Sequence, residues 1–234
     1  MTSYFTSSIF GSTSTPTKQI LKSDNIIKKP HNFPVEHSDD FKIVVILDES
    51  GSMQSIQKDI IKSINDLLTE QKQIKERPCR FTLVKFNDKI KRTIKNRDLN
   101  KVNELSIEDY TPDRSTSLYD AIGSTVNWFR YEKNVLLVIV TDGQENASKV
   151  YTKDSITKML DEKQKFREWT FVYLCNDLAT SSQGDNIGLK QSKFSSNIMV
   201  DQSNYGSYLG KNVNVAISNY RKKGISVQQQ LNRN

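Results

Sequence analysis

The sequence predicts an α/β fold: a doubly wound, mostly parallel six-stranded sheet with one antiparallel edge strand and helices on both faces. Three observations carry this. Two unbroken apolar runs, 43–47 and 135–140, have the length of strands buried on both faces. Helical apolar patterns alternate with strand patterns along the chain, as expected when parallel strands are joined by helical crossovers. Only Asn87-Asp88 separates one strand pattern from the next, so that pair must close as a hairpin.

The elements follow in order. Residues 41–47 read as the first strand. Ile56, Ile60, Ile61, Ile64, Leu67 and Leu68 then recur at helical spacing, giving an amphipathic helix to about Glu76. Residues 81–86 are the second strand. Residues 89–94 return as the third, and their lysines suit an exposed sheet edge. A helix is expected over 118–131, with Trp128 and Phe129 packed in the core, and the most apolar strand over 135–140. A charged surface helix follows over 155–167, with Ile156, Met159, Leu160 and Phe166 on its inner side. Residues 169–174 and 197–200 complete the strands. A closing helix spans 205–220, with Leu209, Val213, Ala216, Ile217 and Tyr220 at helical spacing.

Three segments result: a Ser/Thr-rich arm over 1–40, one domain over 41–223, and a polar tail over 224–234. The arm is interrupted by Pro16, Pro30 and Pro34 and shows no sustained apolar period. It lacks a basic region followed by an apolar one, so no secretory signal is read there, and the absence of Arg argues against a transit peptide. No apolar run is long enough to span a bilayer. The expectation is cytoplasmic residence. Cys79 and Cys175 then read as small buried hydrophobes in a reducing compartment. The two histidines, His31 and His37, lie in the arm, which removes the main ingredient of Ser-His-Asp chemistry and of the usual zinc sites from the domain.

The net charge of +7 is unevenly distributed. Residues 41–100 carry 13 basic and 8 acidic side chains; residues 101–150 carry 5 and 8. The acidic stretch holds half of the candidate site. That site begins at Asp48-Glu49-Ser50-Gly51-Ser52, where the first strand ends. Ser115-Thr116-Ser117 and Thr141-Asp142-Gly143 supply further oxygen groups at element ends of their own. Oxygen ligands drawn from separate loops suit a hard divalent cation. In an open sheet such ligands converge beyond the carboxyl ends of strands, where strand order reverses.

These residues resemble the von Willebrand factor type A domain and its metal-ion-dependent adhesion site, or MIDAS. The first motif has the Asp-x-Ser-x-Ser form. Thr116 leads Ser117-Leu118-Tyr119-Asp120-Ala121-Ile122, close to the family's Thr-x-Leu-Tyr-Asp-Ala-Ile. Asp142 follows Ile139-Val140-Thr141. The likeness covers Phe41 to about Lys223. It implies a Rossmann-like fold and five metal ligands: Asp48, Ser50, Ser52, Thr116 and Asp142. Ser50, Ser52 and Thr116 would touch the ion through hydroxyls, and the two aspartates directly or through water. It also implies Mg²⁺, with Mn²⁺ acceptable and Ca²⁺ disfavoured for want of direct carboxylates. The partner would be a protein whose Glu or Asp completes the coordination. The chain departs from the family at Arg114-Ser115, where relatives often carry glycine. Arg114 is therefore a candidate rim residue favouring an anionic ligand. Glu49 is expected at the surface and Asp120 as a brace to backbone amides. Gly51 and Gly143 read as backbone enablers.

Two other functions compete. A Mg²⁺-dependent phosphotransferase or hydrolase of the haloacid dehalogenase type needs a second Asp as general acid, and Ser50 stands in that position. A nucleic-acid-binding surface is suggested by Lys85, Lys89, Lys91, Arg92, Lys95 and Arg97, although no recognition motif accompanies them. The reading adopted is a metal-dependent protein-interaction module without catalysis.

Overall fold

A computed structural model describes residues 40–165, 169–224 and 226–232, with no account of the Gln202 side chain. Within them lies a six-stranded sheet of order β3-β2-β1-β4-β5-β6. The strands are β1 (Phe41–Asp48), β2 (Cys79–Phe86), β3 (Ile90–Asp98), β4 (Val135–Val140), β5 (Trp169–Cys175) and β6 (Ser195–Met199). β1 pairs in parallel with both β2 and β4, and β4-β5-β6 continue in parallel. β3 alone runs antiparallel, against β2. This is the predicted mixed sheet, with β1 and β4 neighbours at the reversal of strand order.

The helices α1 (Gln57–Lys72), α2 (Leu118–Trp128), α3 (Lys153–Lys165) and α4 (Leu178–Asn186) follow strands β1, β3, β4 and β5. The sheet divides two cores by side-chain alternation. Ile43, Val45 and Leu47 join one core with Ile60, Ile64 and Leu67 of α1. Val44 and Ile46 join the other with Leu118, Ile122 and Val126 of α2. Each such side chain, fully removed from water, contributes roughly 1.5–3 kcal/mol.

β3 breaks the simple alternation. Its register against β2 slips near Leu83, and Asn96 sits at φ 43°. Ile90 packs into the α2-side core and Ile94 into the α1-side core. Trp128, expected in the core, is 39% exposed: it is the last residue of α2, and its ring meets the guanidinium of Arg92 on the edge strand β3 in place of core side chains; Phe129 and Trp169 are buried.

Three further differences concern helices. α4 has no counterpart in the sequence reading. Its buried positions are Thr180 and Gly184, so no apolar stripe betrays it, and its start is set by the Asp177 carboxylate accepting from the Thr180 amide at 2.7 Å. The closing helix is not uniform: α5 (Tyr205–Ser207) leads into a π-helical turn over Tyr208–Val213, then α6 (Asn214–Lys223), which ends at Gly224 with φ 71°. The expected tail contains α7 (Val227–Leu231), whose Val227, Gln228 and Leu231 are buried. Residues 1–39 and the expected helix positions Phe166 and Arg167 lie outside the described residues.

Arg221 ties α6 to the end of α1. Its buried guanidinium donates to the carbonyls of Gln71 at 2.5 Å, Ile74 at 2.9 Å and Arg77 at 2.7 Å. Gln71 lies in the last turn of α1, where the helix dipole favours a cation.

Candidate metal centre

The five candidate ligands meet at the carboxyl edge of the sheet, between β1 and β4. Asp48 is the last residue of β1, and its carboxylate is fully buried. One oxygen accepts from the Ser50 amide at 2.8 Å; the other accepts from the Thr141 hydroxyl at 2.6 Å. The chain then turns through a 3-10 helix over Gly51–Ile56. That turn brings the Ser50 and Ser52 hydroxyls to 3.2 Å. Ser52 donates onward to Asp142 Oδ1 at 2.6 Å, linking the β1 loop to the β4 loop.

Thr116 enters from the segment before α2, clamped by Asn146. The Thr116 amide donates to Asn146 Oδ1 at 3.0 Å, and the amides of Asn146 and Ala147 donate to the Thr116 carbonyl at 3.0 and 3.2 Å. Gly143 leaves the space the Thr116 side chain needs. A Cβ there would stand 2.8 Å from Thr116 Oγ1 and 3.6 Å from Asp48 Oδ2. Gly143 is therefore required by close approach. Gly51 is under no such demand, since a Cβ there would meet Arg114 O at an ordinary 3.8 Å.

Burial governs the electrostatics. Desolvation pushes the Asp48 carboxyl up to about 6, against the lowering bonds from Thr141 and Ser50, and the charge of Asp142 adds to the rise. Burial also raises Asp142, offset by its bond from Ser52. Two carboxylates held out of water at one spot disfavour joint ionisation, a state that a nearby cation relieves. Among the described residues no three His, Cys, Asp or Glu side chains cluster as metal ligands. Any ion here must draw on hydroxyls, and three are present. The donor set fits a small hard cation.

A second tier of residues shapes the loops. Glu49 is not at the surface: it is 1% exposed and bonds Lys85 at 2.7 Å, with Lys91 at 3.5 Å. It also accepts from the Thr111 amide at 3.0 Å, while Lys85 donates to the Asp109 carbonyl. The pair thereby holds the loop that carries Tyr110, whose hydroxyl donates to the Asp48 carbonyl at 2.5 Å. Asp120 braces as expected, accepting from the amides of Lys149, Val150 and Tyr151 at 2.8, 2.9 and 2.7 Å. Glu145, absent from the sequence reading, accepts from the amides of Tyr119, Ala147 and Ser148. Its place two residues before Ala147, in a loop without a strand or helix, gave no periodic signal.

Arg114 lies on the adjoining loop, and its carbonyl accepts from the Gly51 amide at 3.2 Å. Its φ is 71°, the left-handed conformation for which glycine is better suited. The exposed guanidinium pairs with Asp88 at 3.1 Å and Asp113 at 3.3 Å.

The comparisons agree with this architecture. Residues 42–195 match the family model of the von Willebrand factor type A domain, more than half of the chain, and the protein belongs to that family. The family consists largely of adhesion and protein-interaction modules, some of them metal-dependent. A von Willebrand factor type A protein from Catenulispora acidiphila superposes with a TM-score of 0.55 at 11% identity, over 78% of this chain and 42% of that one. The PilB minor pilin from Streptococcus sanguinis gives 0.51 at 16%, over 85% and 64%. Proximal thread matrix protein 1 from the mussel byssus gives 0.50 at 15%, over 73% and 46%; a further structure of that mussel protein has a zinc-occupied MIDAS motif. At these identities the likeness is one of fold. The chain spans less than half the length of the first and third proteins. No curated protein matches by sequence. Among the described residues no helix is long and apolar enough to cross a membrane.

Proposed function

We propose that this domain binds a partner protein through a divalent ion, Mg²⁺ by preference, held by Asp48, Ser50, Ser52, Thr116 and Asp142. The observation that supports it most is the continuous contact of hydroxyls and carboxylates from Ser50 through Ser52 to Asp142, with Thr116 and Asp48 meeting across Gly143. A bound Mg²⁺ supplies a Lewis-acidic position that accepts a carboxylate oxygen. The chain's own residues do the rest. Asp48, fixed by Thr141 and the Ser50 amide, holds the β1 loop in shape. The neutral hydroxyls leave the ion's charge largely uncompensated, so an acidic side chain of the partner is favoured. Arg114, on the rim, adds a positive charge whose reach is reduced by Asp88 and Asp113.

Catalysis is not part of this reading. Ser50 stands where a phosphotransferase of the competing type needs a general acid, and an unperturbed hydroxyl does not move a proton near neutral pH. Residence in the cytoplasm belongs to the same proposal and rests on the sequence alone.

Titration calorimetry with Mg²⁺ tests the metal site. The wild type should give a single saturable transition, and Ser52→Ala, at an exposed position outside the cores, should weaken it while circular dichroism shows the fold retained without metal. Absence of heat and of any Mg²⁺-induced stabilisation in the wild type would refute the site. A pull-down with and without EDTA then tests whether partner capture follows the ion.

A further inference from the structure

The carboxyl edge of the sheet carries an apolar step beside the candidate metal centre. Two large apolar side chains stand in water there, Leu178 at 74% exposed and Met199 at 53%. Leu178 opens α4 directly after β5, and Met199 closes β6.

Local contacts bring the two together. Met199 pairs in register with Cys175, whose side chain lies in the α2-side core, so Met199 points to that face. α4 covers the same face, with Gly184 close against Tyr173. Two residues before Met199, and on its face, Asn197 donates to the Ser181 carbonyl at 2.8 Å and to Asp185 Oδ1 at 2.7 Å. Leu178, Ser181 and Asp185 stand at i, i+3 and i+7, along one side of α4. β5 and β6 are parallel, so the helix between them runs back against β6. One turn up the helix from Ser181 and one pleat up the strand from Asn197 therefore set Leu178 beside Met199. The start of α4 is firm, because Asp177 caps it.

The step adjoins the loop that presents Asp142. The Thr141 amide donates to the Leu174 carbonyl at 3.1 Å, and the Glu145 amide to Gln183 Oε1 of α4 at 2.7 Å. The Asp142 carboxyl, raised chiefly by burial, is raised further by the charge of Asp177, the residue before Leu178. From the gap between β1 and β4 to the gap between β5 and β6 is two strand spacings, about 10 Å, or roughly three residues of extended chain. The other flank differs. Arg114 lies there, bonded to Asp88 in the β2–β3 turn. One flank of the centre is thus charged, and the other is apolar with Asp177 as a deterrent to a second acid.

Apolar side chains held on a capped helix and a strand end, next to a ligand site, have the character of interface anchors. We infer that the Leu178–Met199 step is a subsite for the partner protein, seating a large aliphatic or aromatic side chain that lies about three residues from the metal-binding acid in an extended segment. This rests on the metal centre acting as proposed above. The ion selects for an acid, and the step selects among acid-bearing segments.

The test is selection of a random peptide library, displayed on phage, against the immobilised full chain in Mg²⁺, with elution by EDTA. Eluted peptides should carry an acid and a large apolar residue about three positions apart. For a synthetic peptide of that sequence, Leu178→Ser with Met199→Ser should weaken binding about tenfold or more. Val215→Ser, at an apolar position on α6 that is also 53% exposed, is the matched control and should change nothing. Alanine in place of the peptide's apolar residue should cost as much on the wild type and little further on the double variant. Both replaced side chains are exposed, so the double variant keeps the fold, which circular dichroism checks. No EDTA-eluted peptide, eluted peptides with an acid but no apolar preference, or an equal alanine loss on wild type and variant overturns the subsite. Mg²⁺ calorimetry tells the two failures apart. Equal Mg²⁺ binding by wild type and double variant leaves the metal centre standing when the subsite falls, whereas absence of Mg²⁺ binding removes both.

Discussion

The phenol of Tyr205 donates to the main-chain carbonyl of Thr141 at 2.8 Å, joining the start of the closing helix to the loop that presents Asp142. Thr141 in turn gives its hydroxyl to Asp48. One residue thus couples the back of the candidate centre to the helical layer behind it.

Replacing Tyr205 by Phe leaves that buried carbonyl without its donor. The expected loss is about 1–2 kcal/mol in denaturant unfolding. Unaltered stability would mean that another donor reaches Thr141 once the phenol is gone.

Folded Asp48 keeps its proton up to about pH 6, whereas the unfolded chain releases it near 3.8. The neutral carboxyl's contribution is fully present below the unfolded value and is lost as pH rises through the folded one. The metal-free protein should therefore lose on the order of 3 kcal/mol across that window. Asp48→Asn, which cannot ionise, should be spared and should outlast the wild type at neutral pH without metal. Melting curves of both proteins between acid and neutral pH check this, and parallel curves would contradict it.

At Gly143 an added methyl would press on Thr116 Oγ1, and the β-branched threonine has little rotamer freedom with which to yield. Gly143→Ala should cost about 1–3 kcal/mol, in the range of overpacked cores, and lower Mg²⁺ affinity at least tenfold. Gly51→Ala, at a position with room, is the matched control and should do neither.

Glu49 and Lys85 form a buried pair, and removing one partner strands the other. Glu49→Leu or Lys85→Met should each cost about 3–5 kcal/mol, while the two together should recover part of it, the Thr111 amide staying unpaired. Additive losses in equilibrium unfolding of the three variants would show that the pair is not coupled.

The sheet was legible because its central strands are continuous apolar runs bounded by turn residues, as at Val135–Val140. The candidate ligands were legible because their order and strand-end positions form a known pattern. α4 was hidden because its buried residues are Thr180 and Gly184, and α7 because three glutamines separate Val227 from Leu231. Glu49 was misplaced for a different reason. Its burial depends on Lys85, thirty-six positions away on β2, and no local pattern announces a long-range ion pair. Trp128 was misplaced because helical periodicity does not reveal that an arginine of the edge strand, Arg92, meets the last residue of α2.

The wider turn over Tyr208–Val213 sets the rotational phase between two fixed points, Tyr205 at the sheet's upper edge and Arg221 at its lower one. Excising a single residue from it would swing everything downstream by about 100°. Arg221 and Tyr205 could then no longer both dock, and the chain would have to surrender one end of the helix to keep the other. That local widening works as a spacer whose length is counted in degrees.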